Sequence, residues 1–361
     1  MTKKIFFTPG PSELYPTLAK HIQTALDEKV GVISHRGKQF QNIYGETVNG
    51  LRTLLEIPEN FHILFLSSAT EIWERIIQNC VAHSSFHCVN GSFSKRFYEF
   101  AGELGLKGIK EEAPFGKGFY PENIQIPTEA EIICLTQNET SSGVAMPVYD
   151  INKFQEKNKE ALIFVDSVSS LPYPEFDFSK IDSTYFSVQK CFGLPAGLGV
   201  WILNDRVVAK AEKLLSSGKP IGTYHSIPSM LSKAKINQTP ETPNAFYIYL
   251  LGKVIGDMNK QGIQNSRKET DLKAKMAYDY ITASTNFSCS VEEPAHRSQT
   301  TIVANTKLAS AEVNKLLEPF DMAVGSGYGN YKDGQIRIAN FPAHDLPTFE
   351  KLINKMKTLI G

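Results

Sequence analysis

Three short apolar runs between Leu162 and Trp201 constrain the fold of this chain more than any other feature of its sequence. The first run ends in Asp166, the second ends in Gln189 and Lys190, and the third follows a turn rich in Gly and Pro. Apolar runs of this length, bounded by turn residues, are typical of buried strands in an α/β sheet. Because ligands of such sheets bind just beyond the carboxyl ends of the strands, Asp166 and Lys190 are predicted to face one site.

A desolvated lysine close to a carboxylate has two possible roles. It forms a buried structural ion pair, or it forms a Schiff base with a carbonyl cofactor. Pyridoxal phosphate needs a lysine to carry its aldehyde and an acid to keep its pyridine nitrogen protonated. The pair of Lys190 and Asp166 supplies both groups, so the sequence alone leaves the two roles open.

Composition limits the class of protein. A chain of 361 residues is long enough for one large and one smaller domain. With 38 basic and 38 acidic residues it has no charge excess that favours nucleic acid. No apolar run approaches the roughly 20 residues that span a bilayer, and the start lacks a signal-peptide pattern. Five scattered cysteines, Cys191 beside Lys190 among them, indicate reduced core residues and no metal site, so a cytoplasmic location is expected.

Two other segments are suited to anions. The strand that begins at Phe61 leads through Ser67 and Ser68 into a helix whose N-terminus offers amides, hydroxyls and a favourable dipole to a dianion. Farther upstream, Ser34 is predicted to cap a helix that continues to Leu55. The adjacent His35 and Arg36 place two cations at the start of that helix.

The ordered set of D-S-V-S-S from Asp166, S-V-Q-K to Lys190 and G-L-P-A-G from Gly193 resembles the class V, fold-type I, pyridoxal phosphate-dependent aminotransferases. The resemblance extends over almost the whole chain. It implies that Lys190 carries the cofactor as a Schiff base and that Asp166 pairs with the pyridine nitrogen.

The resemblance also implies a set of cofactor contacts. Small residues after the first strand would bind the cofactor phosphate, Phe93 would stack on the ring, and Thr140 in N-E-T would donate to its phenolate oxygen. The segment from Glu241 to Phe246 corresponds to one that reaches the cofactor phosphate of a neighbouring subunit, which implies a homodimer with shared active sites. The implied cofactor-binding residues are Ser68, Ala69, Thr70, Phe93, Thr140, Val168, Gln189 and Thr242.

Three residues are implied for the substrate. The S-H-R-x-K-x-F segment is similar to one in which His35 and Arg36 would approach a substrate phosphate, and Arg337 matches the arginine that binds the α-carboxylate. One departure concerns the stretch before Arg337. Phosphoserine aminotransferases carry G-H-R there, whereas this chain reads Gly325-Ser-Gly-Tyr-Gly329, and Glu241 replaces an expected Asn.

The predicted architecture is an α/β fold of fold-type I. A large domain over residues 15–255 holds a mainly parallel, seven-stranded type of sheet between helices, and residues 1–14 with 256–361 form a small α+β domain. A long loop is predicted over 216–243, because that segment lacks hydrophobic periodicity.

The resemblance implies transamination of phosphoserine with 2-oxoglutarate, a step of serine biosynthesis. The alternative is an alanine or serine aminotransferase that uses glyoxylate or pyruvate, which the missing G-H-R favours. A cysteine desulfurase would need a catalytic cysteine on a mobile loop, and Cys289 is the candidate. A non-enzymatic interaction protein would have little reason to keep Lys190, Asp166 and Arg337 together.

Overall fold

The computed structural model describes residues 4–361, so the part of the predicted small domain at residues 1–3 lies outside the described residues. Strands and helices alternate through the first two thirds of the chain. The strands are β1 Ile5–Phe7, β2 Phe61–Leu66, β3 Ser84–Val89, β4 Lys107–Glu112, β5 Ile132–Thr136, β6 Asn138–Glu139, β7 Val144–Ala145, β8 Leu162–Asp166, β9 Ser183–Ser187, β10 Gly199–Asn204, β11 Phe287–Cys289, β12 Thr301–Thr306, β13 Met322–Ser326 and β14 Gln335–Ala339. The α-helices are α1 Leu18–Asp27, α2 Lys38–Leu55, α3 Ala69–Cys80, α4 Ser92–Glu103, α5 Val148–Lys157, α6 Asp205–Ser216, α7 Ile227–Ala234, α8 Ala245–Gln261, α9 Ile263–Ala283, α10 Ser310–Leu317 and α11 Leu346–Ile360.

A seven-stranded sheet in the order β2-β10-β9-β8-β5-β3-β4 forms the larger layer. Its neighbours pair in parallel except at β10, which runs antiparallel to both β2 and β9. The prediction of a mainly parallel, seven-stranded sheet is therefore confirmed. The carboxyl ends of β8 and β9 lie side by side, and this brings Asp166 and the loop that carries Lys190 to the same edge.

Both faces of this sheet are covered by helices, because alternate residues of each strand are apolar on opposite sides. On β5, Ile132 and Cys134 pack toward α3, α4, α6 and α7, whereas Ile133 and Leu135 pack toward α5. Helices α2 and α8 cover the latter face at the β2 end of the sheet. The continuous apolar runs of the sequence thus correspond to strands buried on two sides.

A second sheet of five strands has the order β1-β13-β14-β12-β11, with α9, α10 and α11 packed against it. Strand β1 comes from the start of the chain and the other four come from residues 287–339. The predicted domain boundary at residue 255 lies inside α8, so the division into 15–255 and the remaining residues stays a prediction. Among residues 4–361, no helix combines the length and the apolar character that a membrane crossing requires.

Several local predictions were wrong. Helix α2 begins at Lys38 with Gly37 as its N-cap, and the Ser34 hydroxyl instead accepts a hydrogen bond from the backbone of Arg36. The predicted loop over 216–243 contains α7, whose eight residues have buried apolar positions that a scan for long periodic segments misses. Strand β4 was not predicted because it is a polar sheet edge with the sequence KGIKEE.

Core packing of β8 gives a first prediction. Phe164 has no exposed surface, and replacing it with Ala removes its contacts with two helices, so the free energy of unfolding should fall by about 3–5 kcal/mol. Phe6 on β1 is 44% exposed, and F6A serves as the matched control. Urea denaturation followed by circular dichroism measures both midpoints; equal midpoints for F164A and F6A would contradict the packing described for this core.

Candidate active site

Lys190 lies in the turn after β9 with its side chain buried beneath the N-terminal segment. Its Nζ donates to Thr140 Oγ1 at 3.0 Å and stands 5.1 Å from the centre of the Phe93 ring. Gly10, at φ +126°, passes so close that an added Cβ would lie 2.9 Å from Lys190 Cε. The chain folds over the lysine here because a residue without a side chain occupies position 10.

The environment of Lys190 favours a reactive amine. Burial lowers its pKa from the usual 10.5 to about 8, although the nearby carboxylate of Asp166 acts in the opposite direction. A lysine with such a pKa has a substantial neutral fraction near neutral pH, and the neutral amine is the form that attacks a carbonyl. Of the two roles that the sequence left open, this geometry suits the Schiff base.

Asp166 ends β8 and is buried. Its Oδ1 accepts the backbone N–H of Val168 at 2.9 Å, and its Oδ2 accepts Trp73 Nε1 at 2.9 Å. Burial raises the pKa of Asp166 to about 6, and these hydrogen bonds limit the rise. Trp73 was not identified from the sequence, because its position on α3 is also that of a core residue packed on Phe97.

The N-terminus of α3 lies at the same edge of the sheet. Ser68 caps it by accepting the Glu71 amide at 3.1 Å, and the Ala69 amide donates to Ser187 Oγ at 3.2 Å. The exposed Thr70 has no partner for its amide within residues 4–361. Gln189 Oε1 is buried without a partner among the same residues. The free amide of Thr70 at this helix N-terminus suits a phosphate, whereas Gln189 Oε1 is only an acceptor and does not itself bind one.

Glu139 is a buried carboxylate that the sequence analysis did not assign. It accepts the Ser94 amide and hydroxyl at 2.8 and 2.9 Å, the Ser141 hydroxyl at 2.6 Å and the Phe93 amide at 3.4 Å. These contacts hold the first turn of α4, where an acidic group also interacts favourably with the helix dipole. Glu139 therefore fixes the backbone that presents the Phe93 ring to Lys190.

Arg337 projects from β14 of the second sheet into this cluster. Its Nε donates to the Ser326 carbonyl at 2.7 Å and its Nη1 to the Thr140 carbonyl at 3.3 Å. Burial lowers the pKa of Arg337, and the nearby carboxylate of Glu139 opposes that change. Thr140 thus contacts Lys190 through its side chain and Arg337 through its backbone, which brings an amine and a guanidinium close together.

Three predicted site residues lie outside this cluster. Arg36 donates to Gln238 Oε1 at 2.9 Å and to the Thr239 carbonyl at 2.6 Å. Within residues 4–361, no hydrogen bond joins His35 or Arg36 to Lys190, Asp166 or Arg337. Thr242 lines a cavity of 280 Å³ with Ser67, Leu198 and Glu241 near the start of α3.

Glu241 is paired with a histidine. His225 binds Glu71 through Nδ1, and its Nε2 lies 3.3 Å from Glu241 Oε2. Burial would lower the pKa of His225, but its contacts with the carboxylates of Glu241 and Glu71 raise it to about 9. Burial would raise the pKa of Glu71, but hydrogen bonds from His225 and Ser67 lower it to about 2. One imidazolium therefore balances two carboxylates beside the helix N-terminus.

Neither cysteine singled out from the sequence joins the cluster. Cys191 packs with Ala339 and Phe341 between the two sheets, and burial raises the pKa of its thiol. Cys289 lies on strand β11 and not on a loop, so the sequence alternative of a desulfurase gains nothing from the structure.

The residues of this edge fit pyridoxal phosphate. Lys190 offers a buried amine with a lowered pKa, Asp166 a buried carboxylate, and Phe93 an aromatic ring 5.1 Å from Lys190 Nζ. Thr70 adds a backbone amide without a partner in the described chain at the N-terminus of α3, where a phosphate would lie. Val168 packs, like Phe93, at the border of the apolar cluster that contains α3.

Comparison with known proteins gave consistent results. A family model described as aminotransferase class-V matches residues 121–330. A crystal structure of a phosphoserine aminotransferase from Cytophaga hutchinsonii is 66% identical, with a TM-score of 0.99 over 100% of both chains. A phosphoserine aminotransferase of Rhodococcus opacus is 27% identical over 98% of this chain and 95% of its own length.

More distant structures share the fold with other activities. An aspartate aminotransferase from Thermus thermophilus is 22% identical, with a TM-score of 0.86 over 98% of each chain. At this identity the likeness shows the fold alone.

The histidine between two carboxylates gives a pH-dependent prediction. The folded pKa of His225, about 9, exceeds its ordinary value of 6.5, so its stabilising contribution is complete below pH 6.5 and is lost as pH rises through about 9. H225Q should therefore lower the melting temperature most at pH 6, and the difference from the wild type should shrink toward pH 9.

The exposed His83 supplies the control, since H83Q should leave the melting temperature unchanged at every pH. A difference between wild type and H225Q that stays constant from pH 6 to pH 10 would show that His225 is not charged in the folded protein.

Proposed function

The chain belongs to the class V aminotransferase family, and on that premise we propose that it transfers the amino group of phosphoserine to 2-oxoglutarate. It is a transaminase that uses pyridoxal phosphate. The observation that carries the choice of substrate is the 66% identity, over the whole chain, to a phosphoserine aminotransferase. Because the fold also serves other amino acids, the contacts of the site must explain the choice.

Pyridoxal phosphate, when bound, supplies an aldehyde for the amino group and a ring that accepts electrons from the substrate Cα bond. Lys190 Nζ holds the cofactor and, once released, moves the proton at the substrate Cα, which its pKa of about 8 suits. Asp166 is charged at neutral pH, since its pKa is about 6, and keeps a proton on the pyridine nitrogen. Trp73 and the Val168 amide orient that carboxylate.

We assign the remaining cofactor contacts by their position. The first turn of α3 with Ser68, Ala69 and Thr70, together with Gln189, binds the phosphate through its amides and polar side chains. Phe93 and Val168 enclose the ring, and Thr140, 3.0 Å from Lys190 Nζ, donates to its oxygen.

Arg337 binds the α-carboxylate of the substrate. Its Nε and Nη1 are held by backbone carbonyls, and Nη2 has no partner among the described residues. A guanidinium fixed in this way keeps its direction, and a carboxylate then gains a charged hydrogen bond at little entropic cost. The substrate amine is thereby directed toward Lys190, which shares Thr140 with Arg337.

His35, Arg36 and Thr242 act in a second copy of the chain, and the working form is a homodimer. Support comes from their separation from Lys190 and from the exposure of nearby apolar residues. Val32 is 82% exposed, Tyr224 53% and Ile236 51%, and a partner would cover them. Arg36 orders the segment that precedes Thr242, so the interface would bring two cations and a hydroxyl to the partner's site.

The large domain over 15–255, the small domain over the remaining residues and a cytoplasmic location complete the proposal. The second sheet contains β1 together with β11 to β14, which is consistent with that division. The balanced charge of the chain gives no support for a nucleic-acid or membrane partner, so the proposed partners are the substrates and a second copy of the chain.

A second candidate function is amino transfer from alanine or serine to glyoxylate or pyruvate. Gly325–Gly329 contains no His-Arg pair, so one expected set of phosphate ligands is missing. Tyr328 occupies this stretch, and a neutral side chain there provides less attraction for a phosphate than a guanidinium.

Cofactor attachment can be tested apart from activity. Borohydride treatment of the protein with pyridoxal phosphate should add the mass of one cofactor to the wild type and none to K190A, because the reduced bond forms at Lys190 Nζ. Lys273 is an informative control: it is also buried, burial lowers its pKa to about 8, and its Nζ donates to the His344 carbonyl at 2.5 Å.

K273M should gain the same mass as the wild type, because a lysine with a lowered pKa but no adjacent cofactor site does not react with the cofactor aldehyde. Labelling of K190A to the same extent as the wild type would mean that another lysine carries the cofactor.

Substrate choice is tested by single-turnover conversion of the loaded enzyme with phosphoserine, serine or alanine, read from the change in cofactor absorbance. Phosphoserine should react fastest, and R337K should slow all three donors by roughly tenfold or more, since Lys cannot reproduce a fixed planar guanidinium. Arg297, tied to backbone carbonyls and outside the cluster, supplies the control R297K. Reaction with alanine or serine and none with phosphoserine would transfer the assignment to the second candidate.

A further inference from the structure

The loop between β13 and β14 places an aromatic side chain against both substrate-facing groups. The ring centres of Tyr328 and Phe93 lie 5.2 Å apart. Arg337 Cζ lies 5.3 Å from the centre of the Tyr328 ring. Phe93 is in turn 5.1 Å from Lys190 Nζ. The ring of Tyr328 therefore lies against both Arg337 and the ring that approaches Lys190.

The loop that carries Tyr328 is held in place. Tyr331 stacks on Phe115, which follows β4 of the seven-stranded sheet; the ring centres are 4.0 Å apart and the interplanar angle is 16°. A Cβ at Gly327 would lie 2.0 Å from the Tyr331 carbonyl oxygen, so the turn requires glycine there. Ser326, just before the turn, accepts Arg337 Nε. The loop thus fixes one edge of the guanidinium and covers its face.

The hydroxyl of Tyr328 is a further hydrogen-bond donor beside Arg337. The residue is 38% exposed, and within residues 4–361 its hydroxyl makes no hydrogen bond. A phenol beside a guanidinium is a suitable donor to an anionic oxygen, because the charge of Arg337 lies one ring away and water is partly excluded.

We propose that Tyr328 is a specificity-determining residue, whose hydroxyl donates to the side-chain phosphate of the substrate while its ring covers Arg337. The inference rests on the proposed function and deepens it. It assigns a phosphate contact to the Gly325–Gly329 stretch, in which the His-Arg pair is missing. His35 and Arg36 from the second protomer of the proposed homodimer would add positive charge. The ring covers Arg337 whichever amino acid substrate is bound, whereas the hydroxyl contributes to binding only when the substrate has an anionic side chain.

These two roles separate in the variants Y328F and Y328A. Y328F keeps the ring and removes the donor, so KM for phosphoserine should rise about tenfold while KM for serine stays unchanged and kcat changes little. Y328A also removes the ring that covers Arg337, so KM should rise for both phosphoserine and serine. Y331F alters the neighbouring tyrosine, which faces Phe115, and should leave both KM values as they are.

The possible results are distinguishable. An unchanged KM for phosphoserine in Y328F, or an equal rise for phosphoserine and serine, would overturn the inference and leave the proposed function standing. A wild-type enzyme that does not convert phosphoserine would overturn the proposed function, and the inference with it, before any variant is compared.

Discussion

The chemistry of this site depends on burying an amine and a carboxylate together. Desolvation lowers the pKa of Lys190 and raises that of Asp166, so each group is brought closer to neutral pH than it would be in water. Neither is driven to the neutral form, because each also feels the opposite charge. The surrounding polar groups, Thr140 and Trp73 among them, satisfy the two without neutralising them. Loss of either charge would remove an attraction that partly offsets the burial of the other.

The sequence was most informative where one local pattern decided the structure. The strands on either side of Asp166 and Lys190 were predictable, because apolar runs this short, bounded by turn residues and rich in β-branched and aromatic residues, favour strands over helices. Ser34 was misassigned as a cap, since several turn residues in a row compete for that position and the backbone choice depends on tertiary contacts. Helix α7 was missed because eight residues are too short for a periodic signal.

Site residues that act through distant partners could not be predicted from one chain. Trp73 and Glu139 are separated from the groups they hold by tens of residues, and only the fold brings them together. Tyr328 illustrates the same limit. The sequence showed that its loop lacks a His-Arg pair, but only the structure shows that Tyr328 contacts Phe93 and Arg337. The replacement at Glu241 likewise became interpretable once His225 was seen beside it.

The pairing of β1 has a consequence for biogenesis. Strand β1 pairs with β13 through Ile5 and Met322, and Gly10, shortly after β1, covers Lys190. Strand β1 therefore has no strand partner until Met322 and the rest of β13 have been synthesised. Contacts between such distant residues are slow to form, and an unpaired edge exposed meanwhile favours association with other chains. Closure of the active site is thus a late event in the maturation of this protein.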